Sequence, residues 1–351
     1  MVLLKTGLGD RLVSGDVEAK PFSTLPVISL ARLNGTAEER KALAGEIAQA
    51  CVDSGFFYIA DHGVSQEAID AAFGEAKTFF AQPSEKKMLV DLHKGNSFKG
   101  YAPLKGELVD PASRGDVHEA WDMGDDSQVL KHGQTGNLWP PAEDLPDFKP
   151  MVQRAWDEIM ALGKRLFPLF ALALDLPEDY FANKLTNPGS VMRLLHYPPQ
   201  YGPVDLAEIG IGAHTDYECF TILAQHGSVQ ALQVLNAAGE WVQAPPKEGT
   251  FVLNLGDMLQ RMTSGLFKST VHRAINRTGE DRMSMPFFFG LDYDALVEVL
   301  PSCTSADRPP MFEPIKAGEY VEKRLAETYV KAPPVRGSEA EVAEKAAQAS
   351  T

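Results

Sequence analysis

From residue 187 onward the chain breaks into short runs of β-branched and aromatic residues separated by turn signals: Val191 to Tyr197, Phe220 to Gln225, Leu232 to Leu235, Trp241 to Ala244, Phe251 to Leu255, Thr270 to Asn276 and Arg282 to Phe289. This spacing constrains the C-terminal half to a β-sandwich or barrel. Asn236 to Gly239 supplies one hairpin turn and Asn276 to Glu280 another.

The first half reads differently. Residues 1–24 mix Gly, Lys, Asp and Ser without periodicity and form an N-terminal arm or lead-in. Leu25 to Leu30 reads as a short strand. Thr36 and Glu39 make a capping box ahead of the stripe Leu43, Ile47, Cys51, and Gly55 stops that helix. Phe56 to Ala60 is a buried strand, and Ser65 to Ala81 repeats the capped amphipathic pattern through Ile69, Phe73, Ala76 and Phe80. Phe98 to Pro146, rich in Gly, Pro and Asp around Trp121 and Trp139, predicts long ordered loops or short strands of the kind that line pockets. A long helical pattern from Lys149 to Leu174 is expected to kink or split at Pro168. Residues 25–186 therefore form an α/β region packed on a β core at 187–331. Gly318 to Lys331 returns to helical periodicity, and residues 332–351 are expected to be a mobile tail.

Composition narrows the function. A net charge of -15 argues against nucleic acid, whose phosphates call for clustered Lys and Arg. Any acidic ligand must then be captured by a local cation inside a pocket. Cys51, Cys219 and Cys303 are odd in number and lack CxxC spacing, which fits a reducing compartment. No signal-like apolar segment is visible, and the longest apolar run, Leu166 to Leu174, contains Pro168 and is far too short for a bilayer. The expectation is a cytoplasmic protein, monomer or homodimer, with no nucleic-acid or membrane partner.

Three residues carry chemistry. In a strand, His214 and Asp216 point the same way with Thr215 turned outward. Alone, an HxD pair in a chain of eight histidines means little. His272 in Lys268 to Arg273 adds a second imidazole, and two imidazoles with one carboxylate can cap one face of an octahedral ferrous ion while leaving positions open. A cysteine cluster is absent and so is HExxH, which favours iron over zinc. Arg282 and Ser284 alternate on one strand and share a face. Separately they read as a surface salt bridge and a solvated serine; together, in the apolar run to Phe289, they make a buried grip for an organic acid. Tyr197 adds a phenolic hydrogen bond to that acid or else packs in the core.

The sequence resembles the iron(II)- and 2-oxoglutarate-dependent dioxygenases of the isopenicillin N synthase-like group, and is similar to small-molecule hydroxylases of the thymine dioxygenase type. The resemblance spans about residues 25–330. It rests on Leu25-Pro-Val-Ile, Ser54-Gly-Phe-Phe-Tyr58, His62-Gly-Val64, Phe79-Phe80 and Gly100-Tyr101, then on Leu194-Leu-His-Tyr-Pro198, Gly212-Ala-His-Thr-Asp-Tyr217, Asn254-Leu-Gly-Asp257, Ser269-Thr-Val-His-Arg273 and Arg282-Met-Ser284. It implies a mostly β fold with flanking helices around a double-stranded β-helix, or jelly roll. It also implies Fe(II) on His214, Asp216 and His272, and 2-oxoglutarate with its distal carboxylate on Arg282 and Ser284. Where many plant members carry Asn-Tyr-Tyr, this chain has Leu195-His196-Tyr197, so an asparagine contact is missing and Tyr197 is retained. Some relatives use the Arg-x-Ser pair for a different carboxylate.

The implied reaction uses O2 and 2-oxoglutarate, releases succinate and carbon dioxide, and hydroxylates or desaturates a small organic molecule. Candidate substrate-pocket residues are Phe98, Tyr101, Arg114, Glu119, Tyr217, Cys219, Phe287 and Phe289. The alternatives are a ring-forming or ascorbate-dependent iron oxidase on the same fold, and a non-catalytic small-molecule receptor.

Overall fold

The computed structural model describes residues 2–6, 9–13, 23–109, 114–126, 135–203, 205, 208–307 and 309–328. The expected tail at 332–351 lies outside them. Within the expected arm, β1 (Val2–Thr6) pairs antiparallel with β2 (Gly9–Val13), so part of the lead-in is a two-stranded ribbon.

In chain order there follow β3 (Val27–Ser29), α1 (Ala37–Asp53), β4 (Phe56–Ala60), α2 (Gln66–Phe80), the one-turn α3 (Ser84–Lys87), β5 (Gly100–Ala102), β6 (Glu119–Gly124) and α4 (Phe148–Ala173). The second half contributes β7 (Val191–Tyr197), β8 (Ile211–His214), β9 (Phe220–His226), β10 (Leu232–Leu235), β11 (Trp241–Gln243), β12 (Thr250–Leu255), α5 (Asp257–Met262), β13 (His272–Ala274), β14 (Arg282–Phe289) and α6 (Ala317–Thr328). Local chemistry sets the boundaries. Glu39 N–H donates to Thr36 Oγ1 at 3.2 Å while Thr36 N–H donates to Glu39 Oε2 at 2.7 Å, closing the capping box of α1. Gly55 ends it at φ 67°, where a Cβ would fall 2.0 Å from the Lys268 carbonyl oxygen.

Eight strands form one sheet in the order β3-β4-β12-β9-β14-β7-β6-β5, and four form a second in the order β11-β10-β13-β8. The two make a jelly roll, and the first 186 residues supply half of its larger sheet. The expected α/β region is thus built into the β core and does not sit beside it as a separate layer. Phe56, Tyr58, Leu223 and Val252 meet Leu232 and Val234 in an apolar cluster. On the opposite face of the large sheet, α4 packs Trp156 on Phe287 at 4.6 Å between ring centroids and Phe167 on Phe289 at 5.5 Å. Pro168 neither splits α4 nor ends it: one helix runs through 26 residues. The carbonyl that proline leaves without a donor belongs to Lys164, an exposed residue that water can serve.

Candidate active site

β8 and β13 pair so that His214 lies directly opposite His272, with the ring centroids 4.2 Å apart. Asp216 lies two residues past the end of β8. Strand pleat therefore does not aim it, contrary to the simple alternation expected; its backbone carbonyl instead accepts the Asp257 N–H at 2.8 Å. Asp216 Oδ1 stands 3.7 Å from His214 Nε2 and 3.6 Å from His272 Nε2. Two donors each about 2.1 Å from one ion can be up to roughly 4.2 Å apart, so one ion can bridge either pair. Among the described residues this is the one cluster of three such donors. Thr215 is fully buried and its hydroxyl has no partner, so it does not turn outward to solvent.

The surroundings preset each donor. His214 Nδ1 faces the Gly212 carbonyl at 2.8 Å and His272 Nδ1 faces the Thr270 carbonyl at 3.1 Å, which places the ring proton on Nδ1 and leaves Nε2 as a donor to metal. Asp216 Oδ2 accepts from Asn254 Nδ2 at 2.6 Å and from the Thr221 hydroxyl, leaving Oδ1 for the ion. Burial, reinforced by His272 and opposed by Asp216, brings the His214 imidazole down to about 4, so it is neutral near pH 7. Burial alone would raise the Asp216 carboxyl, but His272, His214 and its two hydrogen bonds more than reverse this and hold it below the usual range. Glu218 is pushed up to about 8 by burial, with Asp216 adding to the effect.

A cavity of about 170 Å³ contains these donors and also Arg282, Ser284 and Tyr197. Period-2 alternation along two neighbouring strands builds its wall: Arg282, Ser284, Pro286 and Phe288 on β14, and Val191, Arg193, Leu195 and Tyr197 on β7. Arg282 is 2% exposed, and Tyr197 stands opposite it in the register. The guanidinium carbon lies 4.5 Å from the Tyr197 ring centroid, so the contact is through the ring face. Nη2 reaches Gln225 Oε1 at 3.4 Å, while Nε and Nη1 are buried without partners. A buried guanidinium with two unused donors calls for an anion, and a carboxylate fits.

The eight pocket candidates divide. Phe98 and Tyr217 line the cavity, and Phe98 holds φ at 55°, a left-handed conformation uncommon for a bulky side chain. The other six do not line it. Phe287 and Phe289 occupy the alternate positions of β14 and face α4. Glu119 lies on the outer face of β6, taking Lys87 Nζ at 2.6 Å, the Tyr101 hydroxyl at 2.5 Å and His196 Nδ1 at 2.9 Å, which accounts for Tyr101 as well. Arg114 is largely exposed and pairs with Asp205 at 2.5 Å. Cys219 is fully buried, and its N–H donates to the Phe289 carbonyl at 3.1 Å.

Sequence reasoning assigned no role to Asn254, Thr221, Glu107, Asp122 or Arg193, all on the cavity wall. Nor did it single out Arg324, which reaches Asp257 Oδ2 at 3.1 Å and covers Tyr217 at 4.4 Å, docking α6 against the cavity.

Two family models match the chain, the non-haem dioxygenase in morphine synthesis N-terminal region over residues 25–142 and the 2OG-Fe(II) oxygenase superfamily over residues 188–291. A 2-oxoglutarate-Fe(II) type oxidoreductase of Metarhizium majus is 35% identical, across 93% of this chain and 91% of that protein. The homoarginine-6-hydroxylase of Glycine max is 32% identical, across 89% of this chain and 99% of its own. A full-length Neurospora crassa enzyme crystallised with alpha-KG (2-oxoglutarate) and thymine superposes with a TM-score of 0.77 at 27% identity, covering 86% of this chain and 96% of that one. The chain belongs to the 2OG-Fe(II) oxygenases and is a non-haem dioxygenase dependent on Fe(II) and 2-oxoglutarate.

Proposed function

We propose that this enzyme hydroxylates, or desaturates, a small organic molecule, with Fe(II) on His214, Asp216 and His272 and the distal carboxylate of 2-oxoglutarate on Arg282 and Ser284. One observation carries the reading: the three donors line a single cavity together with Arg282, whose Nε and Nη1 are buried without partners. Iron, when bound with 2-oxoglutarate and O2, would supply the oxidation in which one oxygen atom goes to succinate as carbon dioxide leaves and the other goes to the substrate in hydroxylation or to water in desaturation.

The chain supplies placement. Asn254 and Thr221 hold Asp216 so that one carboxylate oxygen faces both imidazoles. Arg282 fixes the far end of the cosubstrate, its orientation set by the Tyr197 ring and Gln225. Leu195, Leu223, Pro286 and Phe288 provide apolar wall that excludes water near the metal. No side chain has to act as a general base.

All these groups come from one chain, so a monomer or a homodimer suffices. Three free, buried cysteines support a reducing, cytoplasmic setting, and no helix among the described residues is long and apolar enough to cross a membrane. The test is succinate formation against a panel of nucleobases, phenolics, alkaloids and amino-acid derivatives. It should require iron, 2-oxoglutarate and one panel compound, and it should stop in His214→Ala. Oxygen uptake without loss of 2-oxoglutarate would replace the reading with a ring-forming or ascorbate-dependent oxidase.

A further inference from the structure

Beside the metal donors the cavity wall carries a buried ionic cluster. Arg193 on β7 faces Asp122 on β6 in a two-pronged pair, Nε to Oδ1 at 2.6 Å and Nη2 to Oδ2 at 2.7 Å. Its Nη1 donates to Glu107 Oε2 at 2.7 Å, and His118 Nε2 stands 3.6 Å from that same oxygen. Every nitrogen of the Arg193 guanidinium is thus committed to the protein. The second oxygen of Glu107 is not: Oε1 is buried and has no partner, on a residue 3% exposed that lines the cavity. Structures rarely leave a buried ionised acceptor unpaired, because the lost hydration is not recovered.

We propose that Glu107 is a substrate-recognition residue of this cavity and that the substrate presents nitrogen-bound hydrogens, as an amine, a guanidine or an N–H heterocycle does. The assignment rests on the dioxygenase reading and names the substrate class for that same site. Asp122 takes two of the guanidinium's N–H groups and Glu107 a third, so the buried group of the cluster left without a partner is an acceptor, Glu107 Oε1. Burial would raise the Glu107 carboxyl, but Arg193 and His118 bring it to about 2, so the group is ionised across the working pH range. The competing cations on the wall are Arg273, which donates from Nε to Gln233 Oε1 at 2.8 Å and lies over the Trp241 ring, and Lys99, which is 7% exposed. Burial lowers the Lys99 ammonium, and Asp126 and Asp125 act in the opposite sense, so that charge already has acidic neighbours in the protein. An anionic substrate would have to rely on Lys99 or Arg273 and would face Glu107; a nitrogen donor satisfies Glu107 directly.

The test measures binding to the enzyme loaded with Mn(II) in place of iron and with 2-oxoglutarate, by calorimetry without oxygen, so that no turnover is needed. Methylguanidine, benzylamine and thymine serve as donor probes, each beside its fully N-methylated counterpart, with benzoate as the anionic probe. At least one donor probe should bind, about tenfold or more tighter than its N-methylated form, and weaken by a similar factor in Glu107→Gln, the size expected for one charge-assisted hydrogen bond. The proposal is overturned if no donor probe binds, if N-methylation or Glu107→Gln changes nothing, or if benzoate binds best and loses affinity in Lys99→Met or Arg273→Met. The comparison of methylated and unmethylated probes is made on the wild type, so it stands even if Glu107→Gln fails to fold. Failure of 2-oxoglutarate itself to bind would strike the underlying dioxygenase reading at Arg282; normal 2-oxoglutarate binding without donor preference would remove only the role of Glu107.

Discussion

Asn254 touches no metal, yet its amide nitrogen fixes Asp216 from 2.6 Å. Asn254→Ala should weaken Mn(II) or Fe(II) binding about 10- to 100-fold, the usual effect of removing such a supporting hydrogen bond, while leaving the fold intact. Titration of metal into the two apoproteins reads this directly, and equal affinities would mean that Thr221 alone positions the carboxylate. His196 gives a second expectation at this scale. Both its ring nitrogens meet carboxylates, Glu119 and Asp281, each at 2.9 Å. Burial acts to lower the imidazolium, but the two acids more than reverse it, so the folded value is raised above about 6.5. A raised basic group contributes stability that is fully present below the unfolded value and lost as pH rises through the folded one. The melting temperature of the wild type should therefore exceed that of His196→Gln most near about pH 6, and the gap should narrow toward about pH 9. A gap independent of pH would show that His196 acts only through its stacking on Phe80. At this scale the clustering of His214, Asp216 and His272 was legible from residue type and family likeness, and the shared face of Arg282 and Ser284 from alternation along a strand, whereas the aim of Asp216 past the end of β8 was not. Asn254 and Glu107 were not legible, because a hydrogen bond between distant segments leaves no period in the sequence, and Thr221, five residues from Asp216, was not because the turn between them follows no regular period.

Among elements, α4 meets β14 tightly at Gly163, where a Cβ would lie 2.0 Å from Phe289 Cε2. Gly163→Ala should force the helix off the sheet or Phe289 out of its rotamer, costing roughly 1–3 kcal/mol. Denaturant melts would show this as a lower midpoint, and no loss would mean that Phe289 relaxes freely. That contact also explains why Phe287 and Phe289 were misplaced. Alternation tells which residues share a face, but not which face meets the cavity and which the helices. Arg282 and Ser284, once placed on the cavity, put Pro286 and Phe288 there too. Strand ends were readable to within a few residues, since turn chemistry marks them. The stop of β8 at His214 was not, because Thr215 and Asp216 continue a permissible strand pattern, while in the fold the Asp216 carbonyl accepts from Asp257 N–H. Pro168 misled for a related reason: an exposed residue, Lys164, carries the carbonyl it orphans.

For the whole molecule, the jelly roll was legible from strand spacing and family likeness, whereas its partition was not. Strands β3 to β6 have the texture of an α/β region, but their pairing partners lie more than a hundred residues away for β4 with β12 and 70 or so for β6 with β7. Such non-local pairing is invisible to local propensity. Its consequence is functional, since β6 and the loop after β5 bring Asp122 and Glu107 to the wall of a cavity whose metal donors come from the other half. The most direct measurement is a crystal structure of the enzyme with Mn(II) and 2-oxoglutarate, the metal located by anomalous scattering. One ion should lie about 2.0–2.3 Å from His214 Nε2, Asp216 Oδ1 and His272 Nε2, with the distal carboxylate of 2-oxoglutarate hydrogen-bonded by Arg282. An ion bound elsewhere, or a cosubstrate that leaves Arg282 untouched, would contradict it.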